Sequence, residues 1–165
     1  YNIYMEQFFV QNSGIIIRLL LSVLLGMFIG AERFFVHKEA GIKTHALVSM
    51  GSALFIIISE MMVQKYASIG GFDPMRIASQ VVVGIGFLGA GTIMLSGNRL
   101  KGLTTAGGLW VTAGIGMAAG FGLFGISIIS TILVLLILIF VNILEKPLYK
   151  ISDKNNFDNN EKNES

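Results

Sequence analysis

The apolar positions of this chain fall in five long runs, without the alternation of an amphipathic strand or the single stripe of a surface helix. The runs cover about residues 15–31, 44–63, 77–96, 102–119 and 121–143. A helix needs roughly 20 residues to cross a ~30 Å hydrocarbon core, so each run predicts a membrane-spanning helix. The fifth is the purest, almost unbroken over 128–141. The fourth is diluted by glycine and threonine but is bracketed by Lys101 and the Gly120-Phe121-Gly122 turn. The predicted fold class is all-α, a polytopic transmembrane helical bundle of about five spans. Residues 1–14 form an extracytoplasmic N-terminal segment and 15–146 the membrane domain. Residues 147–165 form a polar tail expected to be disordered, because an Asn/Lys/Glu-rich stretch has little to bury.

The basic residues orient the bundle. With the N-terminus outside, Arg33, Lys38, Lys43, Arg99, Lys101, Lys146, Lys150, Lys154 and Lys162 lie on the inner side, against Lys65 and Arg76 on the outer. That is the bias of cytoplasmic loops, and it predicts the N-terminus out and the C-terminus in. Ile29-Gly30-Ala31 loosely resembles a signal-peptidase site. Nothing basic precedes Arg18, however, whereas Arg33, Lys38 and Lys43 follow, so the first run is expected to stay as a span.

Composition agrees with a lipid setting. The chain is 53% hydrophobic and 13% charged, where a soluble domain carries roughly 25% charged residues. Cysteine is absent, which excludes disulfides and thiol chemistry. The net charge of +2 needs no polyanion, since the cations sit between apolar runs; no nucleic-acid partner is expected. No nucleophile–base constellation or carboxylate cluster stands out, so an enzyme is not expected, nor a cofactor, and whether a metal binds is open.

Gly84-Ile85-Gly86-Phe87-Leu88-Gly89 has the letters of a dinucleotide fingerprint. That fingerprint works between a strand and a helix, with an acidic residue about 20 positions on. Here it lies inside an apolar run, and no carboxylate occurs between Asp73 and Glu145. Small residues in a membrane helix let backbones approach closely. Gly26 and Gly30, Gly84, Gly86, Gly89 and Gly91, and Gly116 and Gly120 are therefore expected at helix contacts, in a compact bundle and in a homo-oligomer, a dimer being favoured.

Asp73-Pro74-Met75-Arg76 predicts a helix start, with Asp73 as N-cap and Pro74 at the first helical position. Arg76, Gln80 and Gly84 then share a face, which is expected to point into the bundle because such groups avoid lipid. Polar seams run along the first span (Arg18, Ser22, Gly26, Gly30, Arg33), the second (His45, Ser49, Ser52, Ser59) and the fourth (Thr105, Gly108, Thr112, Gly116). Such seams either bond one another or line a path; mutual bonding is the default. His45 is a hydrogen-bonding group near a helix end or a proton-responsive one. Trp110 reads as packing or as an interfacial anchor.

Five motifs in order now resemble the MgtC/SapB membrane-protein family. They are Gly30-Ala31-Glu32-Arg33; Ala40-Gly41-Ile42-Lys43-Thr44-His45-Ala46-Leu47-Val48; Asp73-Pro74-Met75-Arg76-Ile77-Ala78 with Gln80; the glycine run from Gly84 to Gly91; and Gly102-Leu103-Thr104-Thr105-Ala106 with Trp110. The similarity covers about residues 20–124. It implies a bacterial cytoplasmic (inner) membrane protein, adapted to low magnesium or acid and linked in some members to virulence. It further implies a regulator of ion and energy homeostasis, with a membrane partner such as an ATP synthase. The alternative is a small ion transporter or channel, for magnesium or other cations. The functional positions carried over are Glu32, Arg33, Lys43, Thr44, His45, Asp73, Arg76, Gln80, Thr104, Thr105 and Trp110. Lys43 stands where the family usually has arginine, which keeps charge but not bidentate geometry. Val111 follows Trp110 where some members place a cysteine, and a short polar tail stands where many carry a soluble domain.

Overall fold

The computed structural model describes the backbone of residues 2–66, 73–97 and 99–163 and the side chains of 12–66, 73–97 and 99–144. It is all-α apart from one small hairpin: α1 (Asn2–Phe35), α2 (Ile42–Lys65), α3 (Pro74–Ala90), β1 (Met94–Ser96), β2 (Arg99–Lys101), α4 (Leu103–Gly120) and α5 (Phe124–Asn163). Among the described residues, three stretches are long and apolar enough to cross a membrane, Asn12–Phe35, Ile42–Lys65 and Phe124–Leu144; Pro74–Ala90 is a shorter apolar helix. The chain divides into two compact units, Tyr1–Thr131 and Ile132–Ser165.

In the first unit α1, α2 and α4 pack against one another, with α3 on α2 and α4. The distribution of polarity is inverted relative to a protein in water. Ser22, His45, Ser49, Ser52, Thr105, Thr112 and Ser127 are buried, whereas Leu20, Phe28, Leu47, Phe55, Phe87 and Ile129 are exposed. Apolar side chains facing hydrocarbon gain nothing by moving inward, so close packing and interhelical hydrogen bonds hold such a bundle.

Glycine provides the close packing. On α1, Ser22, Gly26, Ile29, Gly30 and Arg33 form the buried face. A methyl group added at Gly26 would lie 2.5 Å from the carbonyl oxygen of His45, and one at Gly30 would lie 2.6 Å from Ile42 Cα. Gly116 and Gly120 bring α4 equally close to Ser49 and Ala53 of α2. Gly89 touches Ala106 at ordinary distance, and Gly91 approaches the Leu88 carbonyl. Gly84 and Gly86 face open space.

Asp73 accepts a 2.9 Å hydrogen bond from Met75 N–H and Pro74 occupies the first turn of α3, as their order predicts. Helix α3 stops at Ala90, short of the helical run read over 77–96. Thr92 bonds the Gly89 carbonyl through both its hydroxyl and its N–H, which closes the helix. Met94–Ser96 then pairs antiparallel with Arg99–Lys101. Gly102, at φ 89°, turns the chain into α4; any side chain there would collide with the Thr92 carbonyl.

In the second unit the residues of α5 from Ile132 to Leu144 are largely exposed and apolar. The disordered tail expected over 147–165 falls on residues whose side chains lie outside those described. Its backbone is helical as far as Asn163, an extension that costs little once the preceding turns are formed.

Candidate functional site

Polar groups tie α1, α2 and α4 together at two levels. At the first, Arg18 of α1 meets Glu60 of α2 at 2.5 Å and donates a second bond of 2.9 Å to the carbonyl of Gly120, the last residue of α4. A cation on those terminal carbonyls also complements the negative end of the α4 dipole. Gly122, at φ 75°, lets the chain leave α4 beside the guanidinium; an added methyl would sit 3.2 Å from Arg18 Nη2.

The second level lies about 22 Å further along α1, at a rise of ~1.5 Å per residue. Arg33 is 1% exposed, and its Nε pairs with the Glu32 carboxylate. His45, fully buried near the start of α2, holds Thr112 of α4 through Nδ1 at 2.8 Å. The Thr112 hydroxyl donates its only proton to the Gly108 carbonyl at 2.7 Å. It can therefore only accept from histidine, which places a proton on His45 Nδ1. Gly108 leaves room for the ring, whose Cε1 lies 3.5 Å from where a methyl would stand. Thr105, one turn earlier on α4, donates at 2.9 Å to Glu39 in the α1–α2 connection. The Glu39 carboxyl is held below the usual carboxylate range, chiefly by a hydrogen bond from its own backbone and next by the Thr105 hydroxyl.

Three buried polar atoms have no hydrogen-bond partner among the described residues: Arg33 Nη1, His45 Nε2 and Ser49 Oγ. All belong to the α1 and α2 faces around this second level. No group of three or more His, Cys, Asp or Glu side chains converges among the described residues.

Of the residues singled out in the sequence, Glu32, Arg33, His45 and Thr105 gather at this level. Lys43, Thr44 and Thr104 stand exposed at the same end of α2 and α4. Asp73 caps α3 at a different place. The expectation that Arg76 and Gln80 point into the bundle is not met: both are exposed. Helix α3 packs through Val81, Ile85 and Gly89, a line turned about 100° from the Arg76–Gln80–Gly84 face. Gln80 and Gly84 instead line an apolar groove of about 500 Å³ between α3 and α2, with Leu47, Gly51 and Phe55 opposite. Trp110 is 55% exposed, on the outer side of α4 beside Val82 and Ile126.

Residue-by-residue reading missed the Arg18–Glu60 pair and the part played by Glu39. A signal for the pair was present. Arg18 and Glu60 lie at nearly equal distances from the short connection between two antiparallel helices, and so at one depth. Glu39 gave no signal, since only the approach of α4 makes it a partner.

A family model described as the MgtC family matches residues 19–147. The chain belongs to the MgtC family. The match contains every residue of the second level and begins one position after Arg18. In Escherichia coli (strain K12), "Putative magnesium transporter YhiD" is 42% identical over 147 residues, 88% of this chain and 67% of that protein. Protein MgtC of Salmonella typhimurium (strain LT2) is 46% identical over 120 residues, 73% of this chain and 49% of MgtC. Protein MgtC of Brucella abortus (strain 2308) is 41% identical over 128 residues, 78% of this chain and 50% of that protein. The chain thus spans about half the length of these MgtC relatives. No solved structure matches it.

Proposed function

We propose that this MgtC-family chain is a non-enzymatic membrane regulator of ion and energy homeostasis, acting through helix contacts and not by conducting an ion. In this reading it is a multi-pass protein of the bacterial inner membrane, with five spans, the N-terminus out and the C-terminus in. Helices α3 and α4 cross with shorter apolar lengths than α1, α2 and α5. The observation that carries the reading is mutual pairing. Arg18, His45 and Thr105 each bond a group of another element or connection, and the hydroxyls of Ser22 and Ser52 bond carbonyls of their own helices, beside seams that glycine closes to backbone contact. Seams closed in this way hold helices together, which supports a contact role.

The groove between α2 and α3 serves as the contact surface for a second copy or a membrane partner such as an ATP synthase. Its walls are apolar, and Gly51 and Gly84 leave open space in it. The transporter reading keeps one support, the magnesium transport named for the E. coli relative.

Reconstitution in liposomes separates the two. We expect no flux of magnesium, potassium or protons above protein-free vesicles, while a chromosomal deletion impairs growth in limiting magnesium. Robust magnesium flux that disappears on Arg18→Gln or His45→Gln substitution would establish transport instead.

A further inference from the structure

The hairpin between α3 and α4 has two unlike faces. Residues paired across the strands share a face, and successive residues alternate. Met94, Ser96, Arg99 and Lys101 therefore lie on one side, and Leu95 opposite Leu100 on the other. The two leucines are 72% and 60% exposed, so the rest of the described chain leaves their face uncovered. A lone two-stranded hairpin is marginal in water and gains stability when its apolar face packs against something.

The connections on either side hold this element at the helix ends. Residues 91–93 join it to α3, and Gly102 alone joins it to α4. Thr105, in the first turn of α4, bonds Glu39 in the α1–α2 connection. The hairpin thus shares one end of the bundle with Lys38 and Lys43, both exposed like Arg99 and Lys101. Glu39 lies within electrostatic reach of Lys38 and Lys101, and Glu32 is paired with Arg33. Exposed cations at this end outnumber the exposed acid among the described residues, so the surface around the leucines is positive.

We infer that the hairpin lies flat in the headgroup region and docks on an anionic phospholipid surface, with Leu95 and Leu100 against the acyl boundary and Arg99 and Lys101 reaching the phosphates. This rests on the topology proposed above, in which α3 and α4 cross the bilayer. Apolar area and attraction to anionic lipid together hold an amphipathic element at such an interface, and long basic side chains can snorkel to the headgroups. Depth is set from both sides. The outer edge of each strand keeps unpaired N–H and C=O groups, which hydrocarbon does not tolerate, so the hairpin cannot sink. Three residues of strand span ~10 Å, whereas the headgroup zone is roughly 5–7 Å thick on each side. An upright hairpin would carry its turn into water and leave both leucines wet; a flat one keeps every residue in the zone that suits it.

The chain contains no cysteine, so one introduced cysteine carries a nitroxide at one chosen position. Leu95→Cys, Leu100→Cys and Ser96→Cys report the two faces of the hairpin, and Val83→Cys reports the span of α3; all four positions are exposed, so the labels leave the packing intact. The full chain is placed in phosphatidylcholine bilayers with and without phosphatidylglycerol. Electron paramagnetic resonance then compares collisions with oxygen, which favours lipid, and with a water-soluble nickel chelate. We expect oxygen to prevail at 95 and 100 and the chelate at 96. With phosphatidylglycerol present, Arg99→Gln should lower the ratio of docked to undocked hairpin about fivefold, the size for one basic residue at an anionic surface. In phosphatidylcholine alone it should change little. Equal chelate access at 95 and 96 would place the hairpin in water and overturn the proposal. Labels at 95 and 100 shielded from both reagents would mean a protein contact, and docking indifferent to phosphatidylglycerol and to Arg99→Gln would remove the role of charge; either result also overturns it. Chelate access at 83 would refute the crossing of α3 itself, which separates failure of the topology from failure of the docking.

Discussion

Arg18 and Glu60, 42 positions apart, form a 2.5 Å ion pair between α1 and α2, and the same guanidinium nitrogen holds the last carbonyl of α4. One side chain thus fastens three helices at a level where the surrounding surface is apolar. Arg18→Gln or Glu60→Gln leaves the other charge without its counter-ion. Each single substitution should cost about 1.5–3 kcal/mol, the range for hydrogen bonds to charged groups. The double substitution should cost less than the sum, since partners in contact are not additive. Unfolding in detergent, arranged as a double-mutant cycle, measures the coupling; strict additivity would show that the pair contributes nothing.

Glycines on the buried seams should respond differently from glycines on open faces. Gly26→Ala and Gly120→Ala place a methyl against backbone atoms of α2, at 2.5 Å and 2.8 Å. Overpacking of this kind costs about 1–3 kcal/mol. Gly84→Ala and Gly107→Ala meet open space and should be neutral or slightly stabilising, because alanine is the better helix former. Melting temperatures of the four variants decide the matter, and equal effects in both groups would contradict the seam assignment.

The His45–Thr112 bond joins α2 to α4 with both residues buried. Thr112→Val keeps the volume and removes the acceptor, leaving a buried imidazole N–H unpaired at about 1–3 kcal/mol. Thr112→Ser retains the hydroxyl and should restore most of the loss. Thermal unfolding of the two variants provides the comparison.

The Glu39–Thr105 contact carries a pH dependence of known sign. The Glu39 carboxyl is held below its ordinary range by its own backbone and by Thr105. Its stabilising effect is therefore full above the unfolded carboxylate pKa and disappears as pH falls through the lowered folded value. Thr105→Val removes the second-largest cause, after the backbone hydrogen bond, and should move the Glu39 titration upward, toward the ordinary range. Carboxyl NMR titration of the labelled protein reads this directly, and an unmoved midpoint would exclude Thr105 as a cause.

Much of the architecture was legible because lipid and local chemistry act on sequence-near features. Apolar runs located the helices, Asp73-Pro74 located the start of α3, and Gly26 and Gly30 announced a close approach. The end of α3 was not legible. An apolar run reads the same in a helix as in the short hairpin that follows Thr92, and only hydrogen bonding to Gly89 distinguishes them. The facing of Arg76 and Gln80 was misjudged because it was read only from the avoidance of lipid by polar groups, whereas α3 packs through Val81, Ile85 and Gly89.

The sequence by itself determined that this is an all-α chain with long apolar helices, small-residue faces and polar seams, because helix length, backbone approach and burial of polar groups are dictated residue by residue. The tertiary structure decided which seams meet. Arg18 finds Glu60 and Gly120, His45 finds Thr112, and Glu39 finds Thr105 only because the glycines of α1 and α4 bring three backbones close enough for short side chains to reach across. Partner choice among polar groups in an apolar setting depends on depth, which helix lengths set, and on facing, which packing fixes.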